Sequence, residues 1–228
     1  GFKNISIDLM YSLPNQSIND WKKNLKIAFE LNIQHISSYS LSIEEKTKLR
    51  HLINKNILTE LSDIDSQKHF QLLIDECKKN NFIQYEISNF GEKDCFSIHN
   101  KNYWMGQEYL GIGPSAHSFN GKSRRWNISN NTKYINHLKN NILPFDEEKL
   151  KNSDKFNEYI MTSLRTIWGV DLNTLRKRFG DEIYTNFSIQ IKKWIKSKHL
   201  NIEKNKIFLT TKGKYISDTI TSDFFIIN

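Results

Sequence analysis

Cysteine and proline are scarce in this chain, with two Cys and three Pro in 228 residues. The two cysteines, Cys77 and Cys95, cannot build a disulfide framework and fit a reducing cytoplasm. A structural zinc site takes four ligands, usually in close C-x-x-C or H-x-x-x-H pairs, and no such pair occurs. No apolar run approaches the ~20 residues needed to span a bilayer, and no signal-peptide pattern is visible. Internal repeats and low-complexity tracts are missing too. What is present is core material: 38% hydrophobic residues, with five Trp, nine Tyr and 14 Phe. That content argues against disorder and allows one or two packed domains. The net charge of +8 is uneven, because residues 151–228 carry 14 Lys/Arg against 8 Asp/Glu.

The first residues, GFKNISIDLMYSLPNQ, read as a strand over 4–10 followed by a loop at Leu13–Pro14. Ile5, Ile7 and Leu9 fall on one face; Asn4, Ser6 and Asp8 fall on the other. A strand covered by helices on both sides is apolar on both faces, so this polar trio implies a polar lumen or site. Asp8 sits near the carboxyl end, where parallel α/β folds place their ligand groups. Ser17 and Asp20 form a capping-box start for a helix whose apolar stripe is Ile18, Trp21, Leu25, Ala28 and Phe29. A second strand is expected at 35–41, giving a βαβ unit with parallel strands. A helix over 63–80 and a third strand at 85–90 (YEISNF) follow. Residues 91–127 then hold five of the nine glycines together with Trp104, Trp126, His99 and His117, the composition of a loop-built binding surface.

From 130 onward the chain reads as mainly helical. Phe156, Ile160, Leu164 and Ile167 mark one helix; Leu172, Leu175 and Phe179 mark a second; Ile183, Phe187, Ile191, Trp194 and Ile195 mark a third. A hairpin at 200–209 and a last helix capped by Thr210 or Thr211 complete a winged-helix-like order. That order raises a nucleic-acid-binding module as one reading. Against it, Lys192, Lys193, Lys196 and Lys198 complement a helix carboxyl terminus without any partner, while Asp181 and Glu182 occupy the end that usually meets bases.

Among residues that can carry chemistry, Gly111 and Gly113 form a G-x-G pair that suits either close approach to a ligand or a tight turn in an antiparallel sheet. His99, beside Tyr103 and Trp104, suits either an axial heme ligand, which needs only one or two imidazoles, or a hydrogen-bonded structural histidine.

Taken together, NISIDLMYSLPNQ, HISSYSLSIEE, QYEISNF, HNKNYW, YLGIGPSAHSF and RRWN occur in an order that resembles the oxygen-independent coproporphyrinogen III oxidase-like family of radical S-adenosylmethionine (SAM) proteins. YEISNF followed by HNKNYW resembles its heme chaperone branch more than the true oxidases, which remain the alternative. The resemblance implies an α/β fold: the last strands of a partial (β/α) radical-SAM barrel with the glycine-rich region over 1–128, then a mainly helical, winged-helix-like domain over 129–228. It implies SAM, a [4Fe-4S] cluster and heme as cofactors of the intact protein. The family's CxxxCxxC cluster ligands do not occur here, so the chain is expected to be a C-terminal portion that supplies no cluster ligand and is inactive alone. By position, the resemblance places Asp8, Ser40 and His117 on the SAM or substrate side and His99 at heme. Around His99, the neighbouring Tyr103 ring can then pack on the porphyrin face, and Arg124 or Arg125 can pair with its propionates, Arg125 being the candidate taken forward. It leaves the heme-acceptor protein and oligomeric state open. One departure is Ser12, where the family commonly has glycine in Y-G-L-P.

Overall fold

In a computed structural model, described here over residues 1–227, the chain divides into two compact units, Gly1–Ser97 and Ile98 onward. The N-terminal unit runs β1 (Ser6–Tyr11), α1 (Ile18–Glu30), β2 (His35–Ser40), α2 (Lys48–Asn54), α3 (Asp63–Lys79), β3 (Ile83–Gln84) and β4 (Asn89–Gly91). β1 and β2 pair in parallel from Ser6↔His35 to Tyr11↔Ser40, so the expected βαβ unit is present. α1 begins at a reciprocal capping box: the Asp20 N–H donates to Ser17 Oγ at 3.1 Å, and the Ser17 N–H donates to Asp20 Oδ2 at 3.3 Å. Its buried stripe of Trp21, Leu25 and Ala28 shares the core with Phe70, Leu73 and Cys77 of α3. Tyr11, at the end of β1, stacks on Trp21 at 5.7 Å and on Phe70 at 6.3 Å. The buried Trp21 Nε1–H meets the His69 carbonyl at 3.0 Å, so the largest core side chain leaves no donor unpaired. Burial pushes the Cys77 thiol up to about 12, which makes it a core residue and not a reactive one.

YEISNF does not form the single strand expected at 85–90. It makes the turn between β3 and β4, an antiparallel pair, and β4 also runs antiparallel to β2 in a sheet of order β1-β2-β4-β3. The turn is closed by side chains as well as backbone. The Tyr85 N–H donates to the Asn89 carbonyl at 3.2 Å, and the Glu86 carboxylate accepts the Ser88 N–H at 2.9 Å and the Asn89 side-chain amide. An acidic residue reaching two and three positions ahead favours a turn over an extended run.

The second unit contains α4 (Ile98–Trp104), β5 (His117–Phe119), β6 (Ser123–Asn127), α5 (Asn131–Lys139) and β7 (Phe145–Lys149). It continues with α6 (Asn152–Leu164), β8 (Val170–Asp171), α7 (Leu172–Phe179), α8 (Asp181–Lys196), β9 (Leu200–Glu203), β10 (Lys206–Leu209), α9 (Thr211–Tyr215) and α10 (Ser217–Ser222). β5, β6 and β7 form one antiparallel sheet, from Ser123↔Lys149 to Asn127↔Phe145 across β6 and β7. This pairing ties residues 98–128 to the second unit and not to the barrel strands, because a division at 128/129 would cut a sheet. α6, β8, α7 and α8 with the β9–β10 hairpin give the winged-helix-like order, and β8 adds a third strand to the wing. Phe156 sits at the centre of this half, edge-on to Phe179 at 5.5 Å and to Phe187 at 6.4 Å. Ile167 lies beyond the end of α6 and is exposed, so it does not extend the helix stripe as the spacing suggests.

Ser12 explains itself in this fold. Its φ is 58°, it is buried, and its hydroxyl has no partner among the described residues. The left-handed backbone costs an L-residue about 1–2 kcal/mol and the unmet hydroxyl adds about 1–3 kcal/mol, while glycine forfeits roughly 0.5–1 kcal/mol of chain entropy. Ser12→Gly is therefore expected to stabilise the N-terminal unit by about 1 kcal/mol or more, seen as a higher urea midpoint with unchanged slope; a lower midpoint would refute the strain.

Candidate functional site

Two sets of chemistry-bearing residues emerge, one in each unit. In the N-terminal unit the parity of the β1–β2 ladder sorts them. Ile7, Leu9 and Tyr11 turn toward the helices, while Ser6, Asp8 and Met10 are exposed on the other face. Parallel partners point the same way, so the β2 side chains that accompany this face are His35, Ser37 and Tyr39. Ser40 pairs with Tyr11 and its side chain stands on the opposite face of the ladder from Asp8, because an odd offset along a strand reverses the side chain.

His35, which the sequence reading passed over, is the best-tethered group here. Its Nδ1 lies 2.7 Å from Ser6 Oγ and its Nε2 lies 2.8 Å from the Tyr85 hydroxyl. Burial holds the imidazole below its ordinary value against the pull of Asp8, and burial likewise pushes the Tyr85 hydroxyl up. The result is a neutral Ser6–His35–Tyr85 chain beside an exposed carboxylate. The signal in the sequence was parity: His35 is two residues before Ser37 in the strand already identified.

In the second unit, His99 on α4 and His117 on β5 line one open depression of about 570 Å³, with Tyr103, Tyr109, Leu110, Gly111 and Arg124. Both histidines are exposed. The G-x-G pair shapes its wall. A Cβ on Gly111 would lie 2.1 Å from the His117 carbonyl oxygen, and Gly113 has φ 100°. The glycines therefore admit the chain's own β5 backbone and a turn, which is the antiparallel-turn option of the two weighed from sequence. The Asn127 side-chain amide locks the loop by donating to the Gly113 carbonyl at 2.8 Å, and Ser118 Oγ accepts the Gly111 N–H at 2.9 Å.

Tyr103 meets Trp104 edge-on at 5.0 Å and Tyr109 at 6.0 Å. Arg125 does not join them. On β6 it pairs with Glu147 at 3.0 Å and covers the Phe145 ring at 4.6 Å, whereas its neighbour Arg124 points to the depression and pairs with Glu158 and, at 3.7 Å, with Glu148. Alternation along the strand separates the two arginines. Trp104 Nε1 is buried without an acceptor among the described residues, and the Arg165 guanidinium lies over its ring at 5.2 Å. Among the described residues no three His, Cys, Asp or Glu side chains gather as a metal site. Cys77 is buried in a helix core and Cys95 is half-buried, so the donor set does not suit an iron–sulfur cluster.

With this geometry in hand, comparison with known proteins is informative. No protein-family profile matches the chain. The heme chaperone HemW of Bacillus subtilis is 27% identical over 225 residues, covering 98% of this chain and 59% of its own length. HemW of Buchnera aphidicola subsp. Schizaphis graminum is 32% identical over 242 residues, covering 97% of this chain and 58% of its own length. The chain is a homologue of HemW. It spans about three-fifths of the HemW sequences it matches, and it fits their C-terminal portion. The structure of Escherichia coli coproporphyrinogen III oxidase (HemN), a radical SAM enzyme, superposes with a TM-score of 0.76 at 18% identity, over 99% of this chain and 55% of that one. The fold is thus HemN-like, a mixed α/β portion of that architecture. No helix among the described residues is long and apolar enough to cross a membrane.

The neutral state of His35 has a thermodynamic consequence. With its folded value below the ordinary 6.5, the unfolded chain binds the extra proton first, so His35 stabilises the fold above about pH 6.5. That contribution is lost as pH falls from there through the folded value; His69, also lowered by burial, acts in the same direction. NMR titration is expected to show the His35 ring titrating below the ordinary imidazole value of 6.5, and His35→Gln is expected to flatten the stability loss between about pH 7 and 5. A His35 ring titrating at or above that ordinary value would contradict the neutral hydrogen-bonded chain.

Proposed function

We propose that this chain is the C-terminal portion of a radical SAM heme chaperone, with the His99 depression as its heme site. The observation that carries the reading is the depression itself: two imidazoles, two phenol rings and a guanidinium line one open concavity. Iron in a porphyrin takes one or two axial imidazoles, and aromatic rings pack against the macrocycle face. The HemW homologues, named as heme chaperones, give the same reading from sequence along almost the whole chain. In this assignment His99 holds the iron and Tyr103 packs beside it. His117, from the adjoining strand, faces the same concavity and is the second imidazole within it. Arg124, already held by Glu158 and Glu148, positions the wall instead of supplying free charge; Arg125 has no part.

Within the whole protein, SAM and a [4Fe-4S] cluster would supply one-electron radical chemistry. The cluster's ligands would come from outside this chain, because Cys77 and Cys95 do not fit one. The polar β1–β2 face fits a SAM-side role: Asp8 offers an exposed carboxylate to a hydroxyl or amine, and the Ser6–His35–Tyr85 chain fixes the floor beside it. A coproporphyrinogen oxidase reading draws on the HemN-like fold alone, whereas the chaperone reading draws on sequence similarity that spans the chain. The nucleic-acid reading has no site to support it, since the amino end of α8 carries Asp181 and Glu182, and Asp181 is paired with Arg176. We place the protein in the cytoplasm, where two free thiols persist reduced.

The test is heme titration of the protein beside His99→Ala and His117→Ala, with folding checked by circular dichroism. His99→Ala is expected to change the axial-ligand signature in the Soret region and to weaken heme binding by about tenfold or more. A folded His99→Ala variant with unchanged spectrum and affinity would make His99 structural and overturn this site.

A further inference from the structure

A second cavity, of about 330 Å³, lies in the same unit and shares Tyr103, Tyr109 and Arg124 with the wall of the His99 depression. Its lining also holds four more aromatic residues, Trp104, Phe119, Tyr159 and Trp168, and three more cations, Lys155, Arg178 and Lys206. The acids among the lining residues are already engaged. Glu158 pairs with Arg124, and Asp171 Oδ1 accepts the Thr174 N–H at 2.7 Å as the cap of α7. Tyr159 adds no negative charge, because burial pushes its hydroxyl up and that hydroxyl donates to the Asp171 carbonyl at 3.2 Å. Arg178 and Lys155, in contrast, have no carboxylate partner among the described residues. The Arg178 guanidinium carbon lies 5.1 Å from the centroids of both the Tyr159 and Phe179 rings, a cation held by aromatic faces and not by a carboxylate.

A cavity with aromatic walls and uncompensated cations suits a ligand that is flat, apolar and anionic. Its volume is at the lower end of the ~300–1,000 Å³ usual for ligand sites, so a macrocycle would enter by one edge only. We propose that this cavity receives the carboxylate-bearing edge of a porphyrin, with Lys155 and Arg178 pairing its propionates and Trp104, Tyr109 and Phe119 lying against the ring. This rests on the heme reading above and assigns the anionic end of that same ligand. It also replaces Arg125 as the propionate partner, since Arg125 is committed to Glu147.

The experiment uses metal-free protoporphyrin IX, which cannot bind through an imidazole–iron bond, and its dimethyl ester, which lacks the two charges. Each is titrated into the wild-type protein, the Lys155→Gln/Arg178→Gln variant and the charge-conserving Lys155→Arg/Arg178→Lys variant, with binding read by porphyrin fluorescence. The charge-removing variant is expected to bind the free acid about tenfold more weakly or worse. It should bind the ester as wild type does, and the charge-conserving variant should retain most of the free-acid affinity. Equal free-acid affinity in wild type and the charge-removing variant would overturn the assignment, as would equal losses for acid and ester. The two proposals separate cleanly. A changed Soret signature in His99→Ala with no effect of the cavity variant removes only the cavity. An unchanged signature in His99→Ala with a loss in the cavity variant removes only the axial ligand.

Discussion

No side chain fits between Gly111 and His117, and the candidate site of the second unit is built around that contact. A Cβ on Gly111 would sit inside the His117 backbone, so only glycine there lets the YLGIGPSAHSF segment fold back on itself this closely. The fold-back sets Tyr109 against Phe119, where each backbone N–H donates to the other's carbonyl at 3.0 and 2.9 Å. Tyr109 and Phe119 thereby take their places as neighbouring walls, and His117 is carried into the same depression as His99. The Asn127 amide braces the turn from β6 by donating to the Gly111 and Gly113 carbonyls, although the loop has little regular structure. Placing ligand groups on such a braced loop costs less in ordering entropy than recruiting them from a free one.

The winged-helix-like half looks different in this light. Its helices put Lys155 and Glu158 from α6 and Arg178 from α7 at one cavity, and its wing adds Lys206 from β10. The positive excess of residues 151–228 is therefore not a uniform basic coat. Part of it neutralises helix carboxyl ends, as Lys193 and Lys196 do on α8, and part is gathered over aromatic rings. A helix–turn–helix with a hairpin is a packing solution for three short helices, and its order alone assigns no role to the charges that Lys155, Arg178 and Lys206 bring to one cavity.

Much of this was legible in the sequence. The capping box at Ser17–Asp20, the helix stripes through Trp21 and Phe70, and the parallel β1–β2 pair all follow from residue spacing, because each is a local rule applied to a long periodic segment. YEISNF was misread for an equally physical reason. Alternation of Tyr85, Ile87 and Asn89 looks extended, and only the reach of the Glu86 carboxylate to Ser88 and Asn89 reveals a turn. The membership of residues 98–128 was hidden because it depends on a strand pair, β6 with β7, separated by a helix that breaks the pattern. Arg124 and Arg125 stood as alternatives from sequence because alternation decides between them, and no spacing argument tells which face of an unassigned strand turns inward.

The same parity argument governs the N-terminal unit and reaches further than any single residue there. Once Ser6 pairs with His35, every even position of β1 shares a face with every odd position of β2, so Asp8 is accompanied by Ser37 and Tyr39 and never by Ser38 or Ser40. His35 is then the residue of β2 that must bury an imidazole on the polar face, and it does so by spending both ring nitrogens on hydroxyls. A cation at that position would sit beside Asp8 and compete for its carboxylate; a neutral ring leaves the carboxylate exposed for another partner. Burial, with the Tyr85 ring 5.7 Å from the imidazole, thus holds His35 neutral, while the carboxylate of Asp8 on the neighbouring strand stays exposed.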